Sequence, residues 1–249
     1  MTLSKTIDND VAGTDITFGF DSALNIATEA IDRLHTTATS HHRVIVCEIM
    51  GHDAGWLALG AGIAGGADII LIPEIPYDLD VVARHLIDRR QHGKRFSILA
   101  VAEGIQSKGD AARNNGDHAD DDDREKREHR ERTPRKVDPD GVHLVQEPVA
   151  SRLARELQQV TGTEVRVTTL GHVQRGGDPT PFDRLLCTRM GTMAGTLLAD
   201  GKYNVMVALQ GDRCVPVPLE EIAGIKKTVP LDHPWLETAR LVETSMGIE

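Results

Sequence analysis

Five short runs of β-branched and aliphatic residues, each separated from the next by helix-like or glycine-rich sequence, constrain this chain more than any other feature. They are Arg43-Val-Ile-Val-Cys-Glu-Ile-Met50, Asp68-Ile-Ile-Leu-Ile-Pro73, Phe96-Ser-Ile-Leu-Ala-Val-Ala102, Val165-Arg-Val-Thr-Thr-Leu170 and Val205-Met-Val-Ala-Leu209. Continuous apolar runs of this length read as strands buried on both faces. Between them, Phe20, Ala23, Leu24, Ala27, Ile31 and Leu34 recur at helical spacing within residues 16–38. Trp56 to Ala64 reads as a packed helix that Gly65 and Gly66 end, and Leu79 to Arg90 as an amphipathic one. Further helices are expected over Pro148 to Val160, Phe182 to Ala199 and residues 234–245. The alternation predicts an α/β fold: a three-layer, doubly wound and mostly parallel sheet.

The length of 249 residues suffices for one large domain or two modest ones. Aromatic residues make up only 3%, so the core must be built from Ala, Val, Leu and Ile, and 23 glycines suit close helix–sheet packing. A formal charge of −10 argues against a nucleic-acid partner, which would need a basic face, but leaves room for a small anion in a local basic pocket. Cys47, Cys187 and Cys214 are far apart and lack metal-binding spacing, as expected of a reducing compartment. With no membrane-span pattern and no apolar signal core in MTLSKTIDND, the expectation is a cytoplasmic protein without a membrane partner.

From Lys108 to Asp140 the chain is almost wholly polar, with an acidic run at Asp120 to Asp123. Such a segment buries too little apolar area to order itself, so a solvated insertion at 108–140 is expected.

Four motifs carry chemistry. Thr6-Ile-Asp8-Asn9-Asp10 gathers acceptors in one short loop. A carboxylate pair of this kind can split roles, one taking a proton from an alcohol and the other orienting it or meeting a metal. Taken alone the signal is weak, because Asp-Asn-Asp is a common composition of ordinary turns. Gly171-His172-Val-Gln174-Arg175-Gly176-Gly177 follows an expected strand and joins donors to an exposed backbone, which a phosphate ester requires; a polar surface turn is the plainer alternative. Glu48-Ile-Met50-Gly51-His52 and Pro73-Glu74-Ile-Pro76 also stand at strand ends, where open α/β sheets bind ligands.

Together these motifs resemble the phosphofructokinase family over nearly all the expected ordered chain. Each piece is weak alone; the joint pattern is specific. The resemblance implies a 6-phosphofructokinase of glycolysis, transferring a phosphoryl group from ATP or diphosphate to the 1-hydroxyl of fructose 6-phosphate, with Mg2+ as cofactor. By that resemblance Asp8 matches the general base, Asp10 the acidic residue beside it, and Thr6 a contact to the moving phosphoryl group. Met50 and Glu74 match sugar contacts, and His172 and Arg175 ligands of the sugar phosphate. Arg43 and Arg166 match arginines lent across the subunit interface of a homo-oligomer, a dimer or tetramer. The implied lobes are residues 1–20 with 176–230 on the donor side, and 21–175 with 231–249 on the sugar side.

Three departures stand out. Family members carry a further segment ahead of the Thr-Ile-Asp-Asn-Asp loop, holding the donor-phosphate turns, so an incomplete donor side and little activity from this chain alone are expected. His52 occupies the catalytic turn where the family usually has Arg, and a fixed charge becomes a titratable one. Residues 108–140 enlarge a connection that is short in the family. Lys5, before the acidic loop, matches the family's diphosphate-using and mixed-donor branches and bears on donor selectivity. A non-catalytic phosphosugar-binding or regulatory subunit is the alternative reading.

Overall fold

The computed structural model describes residues 1–116 and 147–249. Its larger sheet has four parallel strands in the order β3–β4–β2–β5. These are β2 (Val44–Ile49), β3 (Ile69–Leu71), β4 (Ser97–Ala102) and β5 (Val165–Thr169). Every residue of β2, β3 and β4 is buried, as their unbroken apolar sequences predict.

Helices cover both faces. Gly62 of α2 (Trp56–Ala64) lies so close to the sheet that a Cβ there would stand 2.5 Å from Ile70 Cγ1 and 3.1 Å from Ala100 Cβ. Ile70, Ala100 and Cys47 are in register, so α2 covers that face. The next residue of β2, Glu48, points the other way and accepts the N–H of Ala150 at 3.1 Å, at the start of α5 (Val149–Thr161). This buried carboxylate is thereby satisfied at a helix N-terminus. The helix α1 (Phe20–His41) buries Phe20, Ala23, Ala27 and Ile31 beside α2, and α3 (Leu79–Gln91) packs against α5. The doubly wound α/β expectation is met.

A second sheet runs β1–β6–β7, formed by β1 (Thr2–Leu3), β6 (Val205–Gln210) and β7 (Arg213–Pro218). β1 is parallel to β6 and β7 antiparallel. β7 is not among the expected strands; its Pro216 and Pro218 are tolerated because it lies at the edge of this sheet. The helix α6 (Pro181–Ala199) covers one face, through Leu186, Met190 and Leu197 against Val207 and Leu209. Met206, Ala208 and Val217 pack on the other with Val11 and Ile222 of the short α7 (Leu219–Ile222).

Asp183, buried at the start of α6, ties the two layered units together. It accepts the N–H groups of Gly19 and Ser22 at 2.8 Å each and the Ser22 hydroxyl at 2.5 Å, so it caps α1 from outside.

Two boundaries differ from expectation. The last helix, α8 (Pro234–Leu241), ends earlier than residue 245, and Ser245 instead pairs along β3, exchanging backbone bonds with Asp68 and Ile70. Lys108–Gly116, placed in the solvated insertion, forms α4, with Lys108 on Asp78 at 3.1 Å and Asp110 on Arg152 at 2.8 Å. The remainder of the 108–140 segment lies outside the described residues. Among those described, no helix is long and apolar enough to cross a membrane.

Candidate active site

The chemistry-bearing loops gather at the C-terminal ends of the parallel strands. Met50, Gly51 and His52 follow β2, Glu74 follows β3, Glu103 follows β4, and a 3-10 turn, Gly171–Arg175, follows β5. Strand ends of this kind form a crevice because the helices return on either side.

Side-chain acceptors hold the loops to one another. Gln174 Oε1 accepts the Met50 N–H at 2.9 Å. Glu103 Oε1 accepts the N–H of His52 at 2.8 Å and of Gly51 at 3.4 Å. Gly104 lets the end of β4 approach that turn, since a Cβ there would stand 2.2 Å from His52 O. Glu74 accepts the N–H of Gly55 at 3.0 Å and of Val229 at 2.8 Å. Glu74 is therefore occupied with backbone donors on two elements.

The Asp8 loop comes from the other unit. Asn9 has a left-handed backbone, φ 55°, and its buried side-chain oxygen accepts the Thr17 N–H at 3.1 Å. Thr6 Oγ1 accepts the Asp8 N–H at 3.2 Å and donates to Asp8 Oδ2 at 3.4 Å. Asp8 Oδ1 is buried and accepts no hydrogen bond among the described residues. Burial pushes the Asp8 carboxyl above the usual range, helped by Asp10 and Glu103 and opposed by Arg175 and Thr6. Asp8, Asp10, Glu103 and Arg175 thus share one electrostatic neighbourhood.

The expected residues do not all converge. His172 and Arg175 stand exposed on the 3-10 turn, and the Lys5 side chain is exposed. His52, also with a left-handed backbone (φ 53°), turns its ring toward Asp53, at 2.9 Å, and Lys226, at 3.5 Å. Arg43 and Arg166 lie at the opposite ends of β2 and β5, and at about 3.3 Å per residue Arg43 is on the order of 20 Å from Met50. Both arginines bind Glu164, Arg43 at 2.9 Å. Within one chain they do not reach the crevice.

Sequence reading misses Glu103, Gln174, Asp183 and Lys227 as site-building residues. Glu103 and Gln174 sit at strand ends, a usable signal. Lys227, the second of two adjacent lysines after Gly224, offers none.

Fold and site define a doubly wound α/β protein with an acid-and-arginine crevice at its strand ends. The phosphofructokinase family model matches residues 1–198, and the chain belongs to the phosphofructokinase family. It is 53% identical to an ATP-dependent 6-phosphofructokinase of Propionibacterium freudenreichii, over 99% of this chain and 66% of that protein. It is 54% identical to another from Spirochaeta thermophila, over 98% and 62%. The chain thus spans under two thirds of the length of these relatives. Among solved structures, the Saccharomyces cerevisiae phosphofructokinase matches with a TM-score of 0.67 at 32% identity, covering 87% of this chain and 25% of that one. A pyrophosphate-dependent phosphofructokinase of Marinobacter aquaeolei matches with a TM-score of 0.71 at 21% identity, over 92% and 53%, a likeness of fold.

Proposed function

We propose that this chain carries the sugar-phosphate side of a 6-phosphofructokinase that uses ATP to phosphorylate the 1-hydroxyl of fructose 6-phosphate. The observation that carries the reading is Asp8 Oδ1, a buried carboxylate oxygen left without a donor among the described residues, in the field of the Arg175 charge. An alcohol is a poor nucleophile at neutral pH, so a carboxylate must accept its proton as the bond to phosphorus forms. A carboxyl raised by burial is a stronger base, and Thr6 holds its other oxygen. His172 and Arg175 would take the 6-phosphate, with Met50 and Glu74 along the sugar. Asp10 reinforces the basicity of Asp8 through its charge. The remaining catalysis is positioning and charge neutralisation. The names of the curated relatives support ATP as donor; Lys5 would be the residue that bears on the choice.

Magnesium is the ion the family implies. Among the described residues no cluster of three His, Cys, Asp or Glu side chains could hold a metal. Asp8 and Asp10 alone do not make up such a cluster. Arg43 and Arg166, paired on Glu164 away from the crevice, fit a homo-oligomer in which they serve the neighbouring subunit.

Calorimetric titration with fructose 6-phosphate and with plain fructose tests the reading. Binding of the phosphorylated sugar alone is expected; equal or absent binding of both would end it.

A further inference from the structure

The segment that returns from the smaller unit to α8 crosses the crevice, and its centre is Lys227. Its ammonium makes three hydrogen bonds, to Asn9 Oδ1 at 2.8 Å, Thr14 O at 2.8 Å and Asp15 O at 2.9 Å. Its backbone N–H donates to Asp10 O at 2.8 Å, and its carbonyl accepts Trp56 Nε1–H at 3.1 Å. The ammonium also lies 5.4 Å from the centre of the Trp56 ring. One residue thus grips both ends of the Asp8 loop and fastens it to the start of α2.

All three ammonium donors are used within the protein, so Lys227 is not aimed at a ligand. Among the described residues, the side chain that accepts a hydrogen bond from it is Asn9, the loop residue with a left-handed backbone. That conformation is uncommon away from glycine and persists where surrounding contacts over-determine it. Thr17 N–H and Lys227 hold the same Asn9 oxygen from two sides. We infer that Lys227 is a positioning residue that sets the Asp8 loop against the sugar-binding strand ends. The inference rests on the reading of Asp8 as the base.

The electrostatics fit a tether kept for geometry rather than for stability. Burial pushes the Lys227 ammonium down to about 8, with Asp15 and Asp10 opposing the shift. His233, 5.0 Å from the Trp56 ring, is itself pushed below its usual range by burial, with Asp232 opposing and Lys227 adding. A partly buried cation of this kind costs desolvation, and it is retained here with every donor satisfied.

Amide hydrogen exchange, followed by peptide mass analysis on the chain and on Lys227→Met, tests the inference. Met fills the volume and removes the donors. Exchange across residues 6–17 is expected to accelerate about tenfold or more, since a charged hydrogen bond is worth that much. Exchange in β2 and β4 should stay unchanged, and fructose 6-phosphate affinity should move less than about threefold. Asn9→Gly, which keeps the positive φ and removes the shared oxygen, should give the same local acceleration; it decides the matter if Lys227→Met does not fold. Unchanged exchange over 6–17 would overturn the inference. Acceleration spread through β2 and β4 with loss of sugar-phosphate binding would overturn it too, making Lys227 a packing residue. If the unmodified chain fails to bind fructose 6-phosphate, the kinase reading fails, and the exchange comparison still judges the tether.

Discussion

Gln174 Oε1 accepts the backbone N–H of Met50 at 2.9 Å, pinning the turn after β5 to the turn after β2. Both residues flank the place assigned to the sugar phosphate, so this bond sets the width of the crevice. Gln174→Leu removes the acceptor and leaves a part-buried N–H unpaired. The loss should lower the unfolding free energy by about 1–3 kcal/mol in a urea titration. An unchanged midpoint would mean that Met50 finds another partner.

Asp8, the proposed base, carries a cost in stability. Its raised carboxyl means that the native state binds this proton more tightly than the unfolded chain. Its contribution to stability therefore falls as pH rises through the raised value. Asp8→Asn should melt higher than the unmodified chain at pH 7, and the gap should narrow near pH 3, where both side chains are neutral. In a polypeptide of the relatives' full length, the same change should lower turnover by on the order of 10²–10⁴ with little effect on sugar affinity. A lower melting temperature at pH 7 would show that the burial of Asp8 carries no cost.

Arg175 is expected to discriminate by phosphate. Arg175→Ala should weaken fructose 6-phosphate binding roughly tenfold to a hundredfold in calorimetry and leave fructose unaffected. Equal losses for both sugars would place Arg175 outside the phosphate subsite.

Asp183 tests how the two units are joined. Its carboxylate satisfies two backbone N–H groups and one hydroxyl at the start of α1. Asp183→Ala should cost at least about 2 kcal/mol, as expected for a lost cap with stranded donors. The loss should appear as one cooperative shift in thermal unfolding. Two separated transitions in the variant would mean that the units unfold independently once the Asp183 bonds are removed.

Lys227 offers a spectroscopic handle, because the only two tryptophans, Trp56 and Trp235, both line the cavity of about 420 Å3 beside it. Tryptophan emission should titrate with a midpoint near 8 as the ammonium loses its proton. That step should vanish in Lys227→Met. The lysine is depressed, so the native state releases its proton before the unfolded chain does. Stability from this group should therefore rise from about pH 8 toward 10.5. Emission that stays flat through this range would place the lysine's titration elsewhere.

Strand and helix positions were largely legible, because buried parallel strands write themselves as unbroken apolar runs and α1 writes its core face at helical spacing. The strand β7 was not, since its prolines are acceptable only on an edge, and an edge is a property of the assembled sheet. Composition alone makes Lys108–Gly116 look solvated; its helix has partners at Asp78 and Arg152, which sequence does not place.

The sequence by itself determined the doubly wound architecture and which loops carry acids, histidines and arginines, because periodicity and residue chemistry are local properties. Only the tertiary structure decided which of those groups meet. It brought Asp8 into one field with Arg175 and Glu103, and sent Arg43 and Arg166 to the far ends of their strands. It also gave Lys227, a residue without any local signal, the contacts that hold the Asp8 loop. Burial, shared hydrogen bonds and the direction of a strand are relations between distant residues, and they exist only once the chain has folded.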